Sequence, residues 1–331
     1  MDRRRAIVAV GCLVASLHAF AQRGKPYRIG LLGTGSAASS ASWLEALKSG
    51  LRDLGHAEGK DISFEYRWAD GKYDRLATLA NELVHLKVDV IVTHGTPGTR
   101  AAKQATTTIP IVMASSGDAI SAGLVASLAR PGANITGSTF FGPEYVAKRL
   151  ELLKETTPRV TRVAVISNPN NYQWAETAGA GPGPTLNALR AAADSLRVTL
   201  QNFEMRAPEE LDDAFSKMKA QGVDALVLGE DAMLLANARS IASLALKQRI
   251  PLSGNAAFAE AGALIGYGHD NVALWYRAAY FVDKVLKGVK PTDLPVERPA
   301  KSELVLNMKT AKMLDIKIPQ SMLVRATRVI E

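Results

Sequence analysis

The chain has 331 residues, 47% of them apolar and 22% charged, with a formal net charge of +8. That length and balance suit two α/β domains with a large buried core and exclude a disordered, collagen-like or disulfide-stapled protein. Lys and Arg are scattered rather than clustered, and no zinc-finger spacing or RNA-binding aromatic pattern occurs, so the charge points away from nucleic acid.

Asp2-Arg3-Arg4-Arg5, a short apolar core over residues 6–15 and the small-x-small triplet Ala19-Phe20-Ala21 have the layout of a secretory signal. They predict cleavage after Ala21, a mature start at Gln22 and a periplasmic location. Arg3-Arg4 leaves the twin-arginine route open beside the general one. The only cysteine, Cys12, lies inside this segment, and the apolar run before it is too short for a lipoprotein signal. The mature chain is therefore expected to hold no disulfide, thiol nucleophile or thiolate metal site. No later run reaches the ~18 unbroken apolar residues of a membrane span.

The mature chain alternates regularly. Residues 27–32 read as a strand ending in the small polar tip Gly33-Thr34-Gly35-Ser36, and residues 43–54 as a helix with Trp43, Leu44, Leu47 and Leu51 on one face. Ile62, Phe64, Tyr66 and Trp68 alternate with polar residues, as in a strand with one face less buried. Asp74 is placed to cap a helix carrying Leu76, Leu79, Ala80, Leu83 and Val84. The β-branched run from Val88 to Thr93 reads as a strand buried on both faces. It stops at His94-Gly95-Thr96-Pro97-Gly98, with a helix over 99–105. Ile111-Val112-Met113-Ala114 is the next buried strand, tipped by Ser115-Ser116-Gly117-Asp118. Residues 119–129 read as a helix stopped by Pro131-Gly132, and a further strand begins at Ile135.

After a helix over 145–155 a second set begins. Val163-Ala164-Val165-Ile166-Ser167 is tipped by Asn168-Pro169-Asn170-Asn171, and a Gly/Pro-rich loop over 178–184 precedes a helix over 185–196. A strand over 199–203 follows, then a helix opened by Pro208, lined by Leu211, Phe215 and Met218 and closed by Gly222. Residues 225–228 are tipped by Gly229-Glu230-Asp231. Pro251-Leu252-Ser253 ends at Gly254-Asn255, and Tyr267-Gly268-His269-Asp270 is the last tip. Strand, polar tip, helix, strand is the unit of a doubly wound parallel sheet, and ligands sit at the carboxyl ends of such strands. Two sets of similar length predict two similar lobes.

The tips carry hydroxyls, amides and carboxylates rather than a catalytic constellation, which suits holding a small polar solute. Gly33, Thr34, Ser36, Thr96, Ser115, Ser116 and Asp118 are the candidates in the first set, and Asn168, Asn170, Glu230, Asp231 and Asn255 face them from the second. Asp118 either caps a following helix or meets a ligand ammonium. Gly33-Thr34-Gly35-Ser36 with Ala38 also fits a dinucleotide fingerprint, which makes an NAD(P)-dependent oxidoreductase the runner-up. That reading needs a ribose-binding acid, and Glu65 comes about ten residues too late for the role. His94 has no carboxylate partner in sequence and reads as structural. His269-Asp270 reads as a surface turn without enough ligands for a metal. Residues 119–123 are a poor nucleophile elbow, since Ser121 does not directly follow a strand. Tyr66, Trp68, Trp275 and Tyr276 read as packing residues.

Several stretches carry a resemblance: Glu65-Tyr66-Arg67-Trp68-Ala69-Asp70-Gly71-Lys72-Tyr73, Glu82-Leu83-Val84 with the run from Val88, residues 101–112, 123–137, 148–155, 280–288, 293–297 and 304–314. Over nearly the whole mature chain the sequence resembles the ABC-transporter substrate-binding proteins of the tryptophan/phenylalanine-binding (TrpX-like) family. The resemblance implies an α/β, type I periplasmic-binding-protein fold of two doubly wound parallel-sheet lobes joined by a hinge. It implies that the helix from about Asn271 to Leu286 returns to the first lobe. The first lobe is then expected over 22–138 plus about 271–290, and the second over 139–270 plus about 291–331. It also implies a small-molecule solute of the kind of an amino acid or related carboxylate, an ABC permease in the inner membrane as partner, no cofactor and a monomer. A ligand sensor of the same fold that feeds no transporter is a further alternative. The sequence departs from the family's usual Gly-Asp-Pro-Val at Gly117-Asp118-Ala119-Ile120. It also lacks the aromatic-and-charged turn near residues 253–258, and it follows Tyr267-Gly268 with His269-Asp270.

Overall fold

The computed structural model describes residues 25–171, 173–174, 176–177 and 181–331. The signal over residues 1–21, its cleavage after Ala21 and the argument from Cys12 lie outside them.

Strands β1 (Tyr27–Gly33), β2 (Ile62–Trp68), β3 (Val90–His94), β4 (Ile111–Gly117) and β5 (Ile135–Phe140) form a wholly parallel sheet in the order β2-β1-β3-β4-β5. Its middle strands bury both faces, which is why their sequences are unbroken apolar and β-branched runs rather than alternating ones. One face packs Ile29, Leu31, Val90 and Val92 against Leu47, Leu51, Trp275 and Phe281. The other packs Leu32, Ile91, Ile111 and Met113 against Leu76, Leu83 and Ala102.

In the second lobe β6 (Arg162–Ser167) is followed by a two-residue antiparallel pair, β7 (Glu176–Thr177) and β8 (Gly181–Pro182). Then come β9 (Thr199–Glu204), β10 (Ala225–Val227), β11 (Leu252–Gly254), β12 (Ile265–His269), β13 (Ser302–Asn307) and β14 (Arg328–Ile330). The sheet order is β14-β13-β12-β11-β10-β6-β9. The segment β9-β6-β10-β11-β12 repeats the 2-1-3-4-5 order of the first lobe, so the two lobes share topology. The second sheet is not wholly parallel: β13 runs antiparallel to β12, with β14 parallel to β13 at the edge.

The lobes are joined by three passages of chain, at Phe141 after β5, at Asp270 after β12, and over residues 298–301 before β13. The helix Asn271–Leu286 lies on the first sheet, where Trp275, Ala278, Phe281 and Val282 are buried. The returning segment runs past residue 290: Leu294 and Val296 join first-lobe cores, and Glu297 pairs through its backbone with Gly137 and Thr139 at 2.9 Å each. β5 likewise carries the first lobe to Phe140 rather than 138.

Three local expectations change. Residues 119–129 form successive turns instead of a helix, with Gly123 at φ +66° breaking the run and the amides of Leu124 and Val125 both donating to Ala119 O. Asp74 makes no cap; a 3₁₀ turn over Tyr73–Arg75 runs straight into the helix Leu76–His85. The helix after β3 begins at the tip itself, as Gly95–Ala105, which brings its first turn to the strand ends.

Candidate ligand-binding cleft

The first-lobe wall begins at the tips of β1 and β3, the switch point where the strand order reverses. Thr34 is 2% exposed, and its amide donates to His94 Nε2 at 3.2 Å. His94 is buried, and burial holds its pKa down at about 4, so the ring is neutral with its proton on Nδ1. Trp43 meets the His94 ring edge-on at 5.6 Å. Ser40, just before the helix Ala41–Asp53, and Gly95 and Thr96, in the first turn of the helix Gly95–Ala105, line the same space. Two helix N-termini therefore begin at this wall, and their dipoles favour an anionic group. Ser115 on β4 donates to Asn271 Oδ1 at 3.2 Å.

The second-lobe wall is built from the tips after β6, β10, β11 and β12. Asp231 Oδ1 accepts from the amides of Met233 and Leu234, capping the short helix Ala232–Ala236, while Oδ2 accepts from Asn171 Nδ2 at 3.1 Å. Burial nonetheless raises its pKa. The Glu230 carboxylate pairs with the buried guanidinium of Arg149. Trp174 is 1% exposed and lies so close to β10 that a Cβ on Gly229 would sit 1.8 Å from its Cζ2. His269 stacks on Phe140, with ring centroids 4.1 Å apart, and its Nε2 donates to Asn271 Oδ1 at 3.2 Å. Burial lowers the His269 pKa, so the ring is neutral and its Nδ1 is a bare acceptor.

Across the opening, Tyr73 of the first lobe donates to Asp231 Oδ2 at 3.0 Å and accepts from the Ala232 amide at 3.0 Å. The space between the walls is a partly open cleft with a cavity volume of about 80 Å³. That is room for one amino-acid-sized guest. Four buried polar atoms on its lining residues have no partner among the described residues: Ser40 Oγ, Gln173 Nε2, Asn255 Oδ1 and His269 Nδ1. Each such vacancy costs roughly 1–3 kcal/mol unless something fills it. With Trp43, Tyr73, Phe140 and Trp174 on the same lining, these residues suit a compact, polar-ended aromatic molecule.

Of the residues singled out from sequence, Thr34, Thr96, Ser115, Glu230, Asp231 and Asn255 come together here. Six others lie elsewhere. Gly33 faces Trp68, whose ring carbon would stand 2.1 Å from an added Cβ; the glycine is there for that packing. Ser36 is tied into a turn with Ser39 and rims a neighbouring groove. Ser116 is buried away from the cleft, because a bulge between Met113 and Ser116 interrupts the alternation of β4. Asp118 closes its own turn, accepting from the amides of Ile120 and Ser121 and from Ser121 Oγ. Asn168 accepts from the Asn170 amide and braces Asp231, and Asn170 is exposed.

Sequence reasoning passed over Ser40, Tyr73, Phe140, Gln173, Trp174 and His269 as contact residues. The amide-and-aromatic run Asn171, Gln173, Trp174 directly after a strand tip was the signal within reach. His269, read as a surface turn, is 3% exposed at the end of β12. Among the described residues no group of three or more His, Cys, Asp or Glu is placed to hold a metal ion, and no helix is long and apolar enough to cross a membrane. The dinucleotide reading loses its footing with Gly33, which packs against Trp68.

Comparison with known proteins identifies the family. The family model described as ABC transporter substrate binding protein matches residues 36–330. A tyrosine-binding protein of Clostridioides difficile (strain R20291) is 28% identical over 269 residues, covering 80% of this chain and 74% of that relative. A solved ABC domain from Streptococcus pneumonia, in complex with L-Trp, is 26% identical with a TM-score of 0.81, covering 92% of this chain and all of that one. A conserved domain protein of Vibrio cholerae O1 biovar El Tor is 27% identical with a TM-score of 0.82, over the same shares. The chain belongs to the ABC transporter substrate-binding protein family: it has the type I periplasmic-binding-protein fold and is an extracytoplasmic solute-binding component of an importer, not an enzyme.

Proposed function

We propose that the protein captures one aromatic L-amino acid in the periplasm, closes its two lobes over it and delivers it to an inner-membrane ABC permease. The four partnerless polar atoms around an aromatic-lined, amino-acid-sized cavity carry this reading. In it the guest's carboxylate lies at the helix N-termini beside Ser40 and Thr96, and its ammonium at the acceptors Glu230 and Asn255 Oδ1. Its ring packs among Trp43, Tyr73, Phe140 and Trp174. This replaces Asp118 as the ammonium partner. The tyrosine- and L-Trp-binding relatives support the ligand class. The signal over residues 1–21 supports export and a mature start at Gln22. We also propose that it works as a monomer and binds no nucleic acid, in keeping with its dispersed charge.

A guest that touches both lobes favours the closed state by its differential affinity alone. Calorimetric titration of the mature chain with L-tryptophan, L-tyrosine, L-phenylalanine, L-leucine and L-glutamate tests the reading. Saturable binding of at least one aromatic member, tighter than leucine and glutamate, is expected. Silence toward all three aromatics rejects it.

A further inference from the structure

We propose that Arg149 is a positioning residue for guest recognition: from beneath the cleft it fixes Glu230 in the orientation that accepts the guest's ammonium, and so makes the site demand one. The inference rests on the amino-acid reading and deepens it.

Arg149 sits in the helix Gly142–Thr156 and is 0% exposed. Its Nε donates to Tyr267 O at 2.7 Å and its Nη1 to Leu228 O at 2.9 Å, so the guanidinium bridges the ends of β10 and β12. Its two terminal nitrogens also grip Glu230, Nη1 at Oε2 (3.1 Å) and Nη2 at Oε1. A planar fork held at two carbonyls leaves the carboxylate one orientation. Gly268 keeps the space clear, since a Cβ there would lie 2.9 Å from Nη2. The same point lies 3.8 Å from Glu230 Oε1 and 3.8 Å from Asn255 Cβ, so both residues flank Gly268, and both line the cleft.

Burying a guanidinium is costly, and replacing a buried ion pair by apolar residues is often neutral or stabilising. Stability alone is thus a weak reason for this pair. The Glu230 side chain is 19% exposed, whereas that of Arg149 is fully covered, so the pair presents only its acceptor end to the cleft. Each oxygen keeps a second lone pair after bonding Arg149. An ammonium has the donors to use them together with Asn255 Oδ1, and a guest lacking that nitrogen leaves them empty.

The test compares the tightest-binding of L-tryptophan, L-tyrosine and L-phenylalanine with its des-amino counterpart, the corresponding 3-arylpropionate, on the full mature chain. The wild type is expected to prefer the amino acid by roughly 30-fold or more, the worth of a charged hydrogen-bond set. Arg149→Met and Arg149→Lys should weaken the amino acid about 10-fold or more while holding the arylpropionate within about 3-fold, so that the preference collapses. Equal losses for both compounds would show a merely structural arginine and overturn the proposal. Glu230→Gln keeps the shape of the pair and covers the case in which the Arg149 variants do not fold; an undiminished preference in it overturns the proposal equally. If the wild type binds none of the amino acids, the ligand reading falls first and this inference with it. Binding with an unaltered preference in the variants rejects this inference alone.

Discussion

Tyr73 and Asp231 meet at 3.0 Å although 158 residues and a lobe boundary separate them. The phenol also accepts from the Ala232 amide, and Gly71 brings its turn so close that an added Cβ would stand 3.3 Å from Met233 Cα. None of these contacts involves a guest, so part of the closed state's stability is the protein's own. Tyr73→Phe should weaken binding of the amino acid about 5- to 30-fold, the worth of one or two hydrogen bonds. It should also increase the radius of gyration of the ligand-free protein in small-angle scattering. Unchanged scattering and affinity would mean that the contact contributes nothing to closure.

His94 makes stability depend on pH. Its folded pKa, about 4, lies below the ordinary value of 6.5 because the buried ring resists charge. The stabilisation tied to its neutral form is complete above pH 6.5 and is lost as pH falls toward 4. The shift corresponds to roughly 3 kcal/mol across that window. Urea denaturation at pH 7 and pH 4.5 should show His94→Gln losing clearly less stability on acidification than the wild type. Equal losses would remove His94 as the cause.

Gly229 is a test of the Trp174 wall. An alanine methyl 1.8 Å from the indole forces the ring away, at a cost of about 1–3 kcal/mol. Gly229→Ala should shift tryptophan emission and lower guest affinity together; a wild-type spectrum and affinity would show that the ring has room to spare.

Asp118 supplies the opposite case. Its carboxylate serves only its own turn, so Asp118→Ala should destabilise the fold by about 1 kcal/mol. Affinity should stay within about 2-fold of wild type, against the large loss expected at Glu230. A strong affinity loss at Asp118 would bring that residue back into the site.

Most of the strand tips were readable, because a buried strand announces itself as a β-branched run and its end as a change to small polar residues. That logic found Thr34, Thr96 and Asn255. It failed where the outcome depends on one residue of register: the β4 bulge turns Ser115 to the cleft and Ser116 away from it, and nothing in two adjacent serines tells them apart. It left two roles open at Asp118, since a carboxylate at a strand tip looks the same whether it caps a turn or greets a ligand, and the structure has it closing its own turn. Tyr73 and Phe140 were out of reach for another reason. Each is an ordinary aromatic in its own segment and joins the cleft only through long-range packing of the lobes.

The three passages between the lobes also bear on how the protein is made. Neither half is a continuous stretch of chain: the first sheet waits for Trp275 and Phe281 to cover one of its faces, and the second waits for β13 and β14. A ribosome must deliver almost the entire polypeptide before either half can close its core. A fragment ending near residue 140 should accordingly collect as aggregate, with a sheet face left bare.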